Sequence, residues 1–284
     1  LHLHTEILSA DSMQFYRGME IGTAQPTPDQ RARVPHHFIG HLDPSKHMTA
    51  AEYAEAARAH VARLNAAGKP AVVVGGSGLY IRALVDGLFE GPGRSCDIRA
   101  RLHARAAAEK KEAGESGATA NPSLYAELQR VDPDYAARIQ PGDLRRIVRA
   151  LEVHELTGRP LSALHAEQQQ QADPLNALQI GLDWPRDVLY DRINRRVQAM
   201  FDAGLLDEVR RLLDAGHEQD LQRLKGLGYR ECIAHLNGEL PLDQTIAAIQ
   251  QNTRRYAKRQ LTWFRADDRI QWIQPDPSAD PSFP

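Results

Sequence analysis

Along the first 85 residues the apolar positions alternate between short unbroken runs and helical spacings. Glu6-Ile7-Leu8-Ser9-Ala10 predicts a short strand that ends at Asp11-Ser12. Thr49 and Glu52 stand at capping-box spacing ahead of a helix that carries Tyr53, Ala57, Val61 and Leu64 on one face and is closed by Gly68. Pro70-Ala71-Val72-Val73-Val74 reads as a buried strand running into Gly75-Gly76-Ser77-Gly78, and Leu79 to Val85 then reads as helix. Strand, helix, strand, glycine turn, helix is the rhythm of a parallel sheet with right-handed crossovers.

After Gly91-Pro92-Gly93 the pattern turns helical through Glu167 to Gln171, with a polar interruption at Gly114 to Pro122. This predicts a helical domain, residues 93–171, inserted in an α/β core made of residues 1–92 and 172–284. A strand returns at Leu178 to Leu182, helices are expected over 186–203, 205–215 and 242–265, and Ile270 to Ile273 reads as a late strand. The Pro-, Ser- and Asp-rich tail from Pro275 is expected to be loose. Only five residues precede the first strand, so the chain is expected to begin mid-fold.

With 42% apolar and 25% charged residues the chain can bury a large core. No run approaches the roughly 18 apolar residues of a membrane span, and the start has no signal-peptide pattern, so a cytoplasmic protein is expected. Cys96 and Cys232 stand far apart, against both a disulfide framework and a zinc site. The net charge of -2 hides clustering: Arg145, Arg146 and Arg149, then Arg195 and Arg196, then Arg254, Arg255, Lys258, Arg259 and Arg265. Such clusters suit a phosphate backbone, and equally a solvated helix face.

Four places could carry chemistry. Asp11 lies past the carboxyl end of a strand, where ligands of open α/β sheets collect; it can serve as a general base or cap a turn. Gly75 to Gly78 places backbone amides where an anion could approach, or is only a tight connection. Arg195 and Arg196 border the apolar face of a helix, where one could clamp a pyrophosphate or pair with Asp191 or Asp202. Lys258 to Arg265 mixes cations with Trp263 and Phe264, suited to phosphates and stacked bases, or forms a core helix with a charged back. His36, His37 and His41 have no carboxylate or cysteine at ligand spacing and read as loop residues.

Together these segments resemble the tRNA dimethylallyltransferase family over most of the chain. The match rests on Asp11-Ser12-Met13-Gln14, Tyr16-Arg17-Gly18-Met19, Ile21-Gly22-Thr23-Ala24, Val34-Pro35-His36-His37 and Gly75 to Tyr80. It continues through Asp143, Arg146 to Val153, Thr157-Gly158, Gly228-Tyr229-Arg230, Tyr256 to Gln260 and Thr262-Trp263. The resemblance implies an α/β, P-loop NTPase-like parallel-sheet core with a helical insertion. It implies transfer of a dimethylallyl group from dimethylallyl diphosphate, with Mg²⁺, to the exocyclic amine of the adenosine following the anticodon in tRNAs reading codons that begin with U.

By the same resemblance Asp11 accepts the proton, Arg196 stabilises the leaving diphosphate, and Thr23 and Arg196 contact the co-substrate. The tRNA anticodon arm, bound by a monomer, is assigned to Asp11, Ser12, Met13, Gln14, Ser77, Arg99, Arg145, Arg146, Arg149, Lys225, Arg230, Lys258, Arg259, Gln260, Trp263 and Arg265; metal ligands are not assigned. Two departures stand out. The 284 residues contain no Gly-x-x-x-x-Gly-Lys-Ser/Thr loop, and Gln25 occupies a position where the family usually has lysine. The missing loop leads to the expectation that this chain binds tRNA better than it catalyses. Rival expectations are an adenine-nucleotide prenyltransferase, a non-catalytic RNA-binding remnant, and a nucleotide kinase.

Overall fold

The computed structural model describes residues 3–88, 91–112, 122–171 and 173–276, with the side chains of 112 and 169–171 left aside. These residues divide into two compact units, one made of 1–86 with 175–284 and the other of 87–174.

In the first unit β1 (Ile7–Ser9) is followed by α1 (Pro28–Arg33), β2 (His36–His37), α2 (Ala50–Ala66), β3 (Val72–Val74) and α3 (Gly78–Asp86). The strands form a parallel sheet of order β2-β1-β3, with Ile7 opposite both His36 and Val72. The capping box that begins α2 is complete: Thr49 Oγ1 accepts from the Glu52 amide at 3.2 Å and Glu52 accepts from the Thr49 amide at 2.6 Å. α2 buries Tyr53, Ala57, Val61 and Leu64, the face expected from its spacing. His36 and His37, expected in a loop, are paired with β1 instead, because the Ile7 amide donates to Pro35 O at 2.9 Å and starts a ladder that the short segment continues.

The second unit is helical: α4 (Cys96–Glu112), α5 (Pro122–Val131), α6 (Pro133–Ala136), α7 (Leu144–Thr157) and α8 (Leu161–Gln171). Its own core gathers Leu102, Leu124, Leu128, Ile147, Leu151 and Val153. The expected polar interruption falls mostly on residues 113–121, outside the described residues.

The chain then returns to the first unit with β4 (Ile180–Leu182), α9 (Arg186–Asp202), α10 (Leu205–Asp214), α11 (Glu218–Leu224), α12 (Tyr229–Leu236), α13 (Leu242–Phe264) and β5 (Gln271–Ile273). β4 and β5 pair in parallel as a separate ribbon. The core beside β1 packs Phe15, Met19, Tyr53 and Leu84 with Val197, Val209, Tyr229 and Ile249, so α9, α10, α12 and α13 close over the chain that leaves β1. No described helix is long and apolar enough to cross a membrane. Both cysteines are free, and burial pushes the Cys232 thiol up to about 12.

Candidate active site

The chain leaves β1 at Asp11 and β3 at Gly75, and the two exits are stitched together. Ala10 N donates to Val74 O at 2.7 Å and Ser77 N to Ala10 O at 3.1 Å, while the Ser12 amide donates to Ser77 Oγ at 3.0 Å and that hydroxyl to Ser12 Oγ at 3.1 Å. This is the carboxyl edge of a parallel sheet, the place where open α/β folds collect ligands.

The glycines of the second exit are fixed by close approach. A Cβ on Gly75 would lie 2.3 Å from Ala10 C, one on Gly76 2.0 Å from Gln260 Nε2, and one on Gly78 2.2 Å from Trp263 Nε1. Gln260 also donates to Gly76 O at 2.9 Å. The glycine turn thus lets α13 rest directly on the backbone next to Asp11.

The turn-closing role of Asp11 is visible in its contacts. Its Oδ1 accepts from the Met13 amide at 2.9 Å, closing a turn, and its Oδ2 has no hydrogen-bond partner among the described residues. Burial raises its pKa, opposed by the Met13 and Gln14 amides and by the charge of Arg196. Arg196 keeps contact with solvent, the protein packed around it lowers its pKa, and the Asp11 charge works the other way. The two charges feel each other without ion-pair contact, which leaves room between them. Arg195 takes the other option and pairs with Asp191 at 2.8 Å on the surface.

Tyr256 completes the group and was not singled out from the sequence as a site residue. Burial raises its phenol pKa, and Asp11 adds to the shift. Its place within Tyr256 to Gln260, one turn before the glutamine that grips the glycine turn, is the signal that could have found it.

Other expected site residues turn inward. Gln14 uses its whole amide on the fold: Oε1 accepts from Ser9 Oγ at 2.9 Å and Nε2 donates to Thr23 O and Ala24 O at 3.2 and 3.0 Å. Thr23 is buried and donates its hydroxyl to Met19 O at 2.5 Å. Met13 packs against Gly226. Gln25 donates to Tyr16 O at 2.8 Å, so the amide in the lysine position braces the turn. Behind this turn sits Glu208, fully buried, accepting from the Ile21 and Gly22 amides at 2.7 and 2.9 Å and from Tyr229 Oη at 2.8 Å. A Cβ on Gly22 would lie 2.5 Å from Tyr229 Oη and 2.6 Å from the ring, so the segments Ile21-Gly22 and Gly228-Tyr229 are two sides of one contact.

A scan of family models finds IPP transferase over residues 14–267. The tRNA dimethylallyltransferase of Geobacter metallireducens is 47% identical over 269 residues, 95% of this chain and 84% of its own length. That of Syntrophobacter fumaroxidans is 46% identical over 271 residues, covering 95% and 76%. The chain belongs to the tRNA dimethylallyltransferase family. Among solved structures, the full-length tRNA isopentenylpyrophosphate transferase of Bacillus halodurans is similar at 38% identity and TM-score 0.65, over 96% of this chain and 82% of that one. A eukaryotic dimethylallyltransferase acting on tRNA, at 23% identity and TM-score 0.77, shares the fold, over 96% of this chain and 68% of that one. The dimethylallyltransferase fold is the α/β, P-loop NTPase-like one.

In this chain the cations of α13 line two clefts of about 500 and about 470 Å³, with Lys258 and Thr262 on the wall of both. Lys258, Lys225 and Arg230 are exposed with no ion-pair partner among the described residues, and Arg259 lies over the Tyr256 ring. Arg265 pairs with Asp183 at 2.9 Å, and Trp263, seated on Gly78, carries Arg82 above its ring. In the helical unit Arg145 is exposed with no ion-pair partner among the described residues, and Arg146 pairs loosely with Asp143 at 3.3 Å. Arg99 and Arg149 are held by a carboxylate no sequence pattern announced: buried Glu152 accepts from Arg99 Nε and Nη2 at 2.7 and 2.8 Å, from Arg149 Nη1 at 2.8 Å and from the Ser95 amide at 2.9 Å.

Proposed function

We propose that this transferase moves a dimethylallyl group from dimethylallyl diphosphate to the exocyclic amine of the adenosine following the anticodon, with Asp11 as proton acceptor and Arg196 facing the departing diphosphate. The observation that carries the reading is Asp11 itself, a carboxylate at the sheet edge with one oxygen unused, made more basic by burial, and coupled to Arg196 without being neutralised by contact.

The adenine amine is a weak nucleophile because its lone pair is shared with the ring. As nitrogen attacks the allylic carbon, the N–C bond forms, the C–O bond breaks with its electron pair leaving on diphosphate, and the amine proton passes to Asp11 Oδ2. A fixed guanidinium lowers the barrier by meeting the charge that grows on the leaving group. The base must leave its stack to reach Asp11, which requires grip on the surrounding RNA. Lys225, Arg230, Lys258 and Arg259 in one unit and Arg145 in the other are the exposed cations proposed for phosphates, with Trp263 offering a ring face. Arg99 and Arg149 are proposed to serve by fixing α4 against α7.

Mg²⁺ would supply counter-charge to the diphosphate. At the site Asp11 offers a single free oxygen and Thr23 turns its hydroxyl into the fold, so the described residues do not form a magnesium cage. The ion is proposed as a companion of the diphosphate, and the steps above stand on the chain's own residues.

The test is single-turnover transfer to an unmodified anticodon stem-loop by the parent and by Asp11→Asn. A loss of about 10²- to 10⁴-fold is expected, together with loss of the acidic limb of the pH profile, which the raised pKa places above that of an ordinary aspartate. A loss below about tenfold would remove Asp11 from the reaction.

A further inference from the structure

Away from the site, a second group of convergent side chains ties β1, β2 and α2. Glu6 directly precedes β1, opposite the end from which Asp11 emerges; His37 lies on β2 and His60 on α2. One ligand atom from each lies within 4.8 Å of the others. His37 Nε2 is 2.7 Å from Glu6 Oε2, and the two imidazole rings are 4.4 Å apart at 42°.

A cation already occupies this focus. Arg63, one turn after His60 on α2, donates to both oxygens of Glu6 and approaches His60 Nδ1 at 3.5 Å. A guanidinium only donates, so His60 Nδ1 must present a lone pair to it. The carboxylate and this imidazole therefore both aim their lone pairs at one positive group.

We propose that Glu6, His37 and His60 form a divalent transition-metal site of the zinc class, which metal occupies by displacing Arg63. Two imidazoles and one carboxylate form a borderline N/O set that suits zinc, whereas magnesium and calcium prefer oxygen alone. Ligand atoms about 2.0–2.1 Å from a tetrahedral zinc lie about 3.3 Å apart, so the widest pair must close by about 1.5 Å. Rotation of the half-buried ligand side chains about their χ angles covers that distance, and Arg63, half exposed, can swing into solvent. His37 ligates through Nε2 once its remaining N–H resides on Nδ1, so a neutral ring binds without net proton loss. The ion would cross-link the sheet edge to α2.

The full chain, stripped with chelator, is titrated with Zn²⁺ by calorimetry and with Co²⁺ by visible absorption. One equivalent per chain is expected, with a ligand-field spectrum of four-coordinate Co²⁺. His60→Gln and His37→Gln should each weaken binding at least about tenfold, while Arg63→Gln should strengthen it, because the competing cation is gone. Circular dichroism confirms that each variant is folded, and zinc should raise the melting temperature of the parent but not of His60→Gln. Binding that survives both histidine substitutions, or that weakens in Arg63→Gln, would overturn the proposal and leave Glu6, Arg63 and the histidines as a hydrogen-bonded brace.

Discussion

Replacing Glu152 by Gln should unfold the helical unit far more readily while leaving its outer face intact. The parent carboxylate is fully buried and accepts four hydrogen bonds, three from guanidinium groups and one from the Ser95 amide. Burial alone would raise its pKa, but the forks of Arg99 and Arg149 outweigh that and hold it at about 2, against an ordinary value of 4.5. At about 1.4 kcal/mol per pKa unit the difference corresponds to about 3 kcal/mol. That lies within the range of about 3–5 kcal/mol found when one partner of a buried ion pair is removed. Because the folded pKa is the lower one, this stability is present above pH 4.5 and is lost as pH falls towards 2.

All three tryptophans, Trp184, Trp263 and Trp272, belong to the other unit, so tryptophan fluorescence follows that unit alone during urea unfolding, while far-ultraviolet circular dichroism follows the helices of both. With a slope of about 1–3 kcal/mol per molar urea, Glu152→Gln should move a helix-detected transition down by about 1–3 M, and fluorescence should move much less. Arg99→Ala should likewise lower stability while leaving stem-loop affinity near the parent's. A variant with parental unfolding and sharply weaker RNA binding would show that Arg99 grips phosphate and that the Glu152 cluster contributes little.

Two further outcomes test the site's surroundings. Replacing Lys258 and Arg259 by Ala should weaken anticodon stem-loop binding and flatten its salt dependence by roughly one unit of log slope per lost phosphate contact, measured by filter binding across a salt series. Gly78→Ala places a methyl 2.2 Å from the Trp263 indole, so the chain should lose about 1–3 kcal/mol and shift its tryptophan emission, as seen by fluorescence-detected melting.

Elements written in local pattern are legible in the amino-acid sequence alone. The Thr49–Glu52 box, the apolar face of α2, the valine strand and the long α13 all lie within a residue or two of the expected bounds. So does Asp11, because a strand end followed by a short polar segment is a local signal. What stays hidden depends on residues far apart in the chain. β2 is only two residues long and exists because β1 lies beside it. Glu152 and Glu208 look in sequence like ordinary helix-surface acids, yet each is buried by donors from other segments. The histidines lack a carboxylate nearby in sequence, and Glu6 reaches His37 from 31 residues away.

The contact between α13 and the glycine turn also constrains how the chain can vary. Gly76 and Gly78 are moulds whose shapes are set by Gln260 and Trp263, more than 180 positions downstream. A larger residue on the turn becomes tolerable only if the helix trims its own side chain, and a trimmed helix leaves a void unless the turn grows. A single step on either side carries a cost, so positions 76 with 260 and 78 with 263 are expected to vary together.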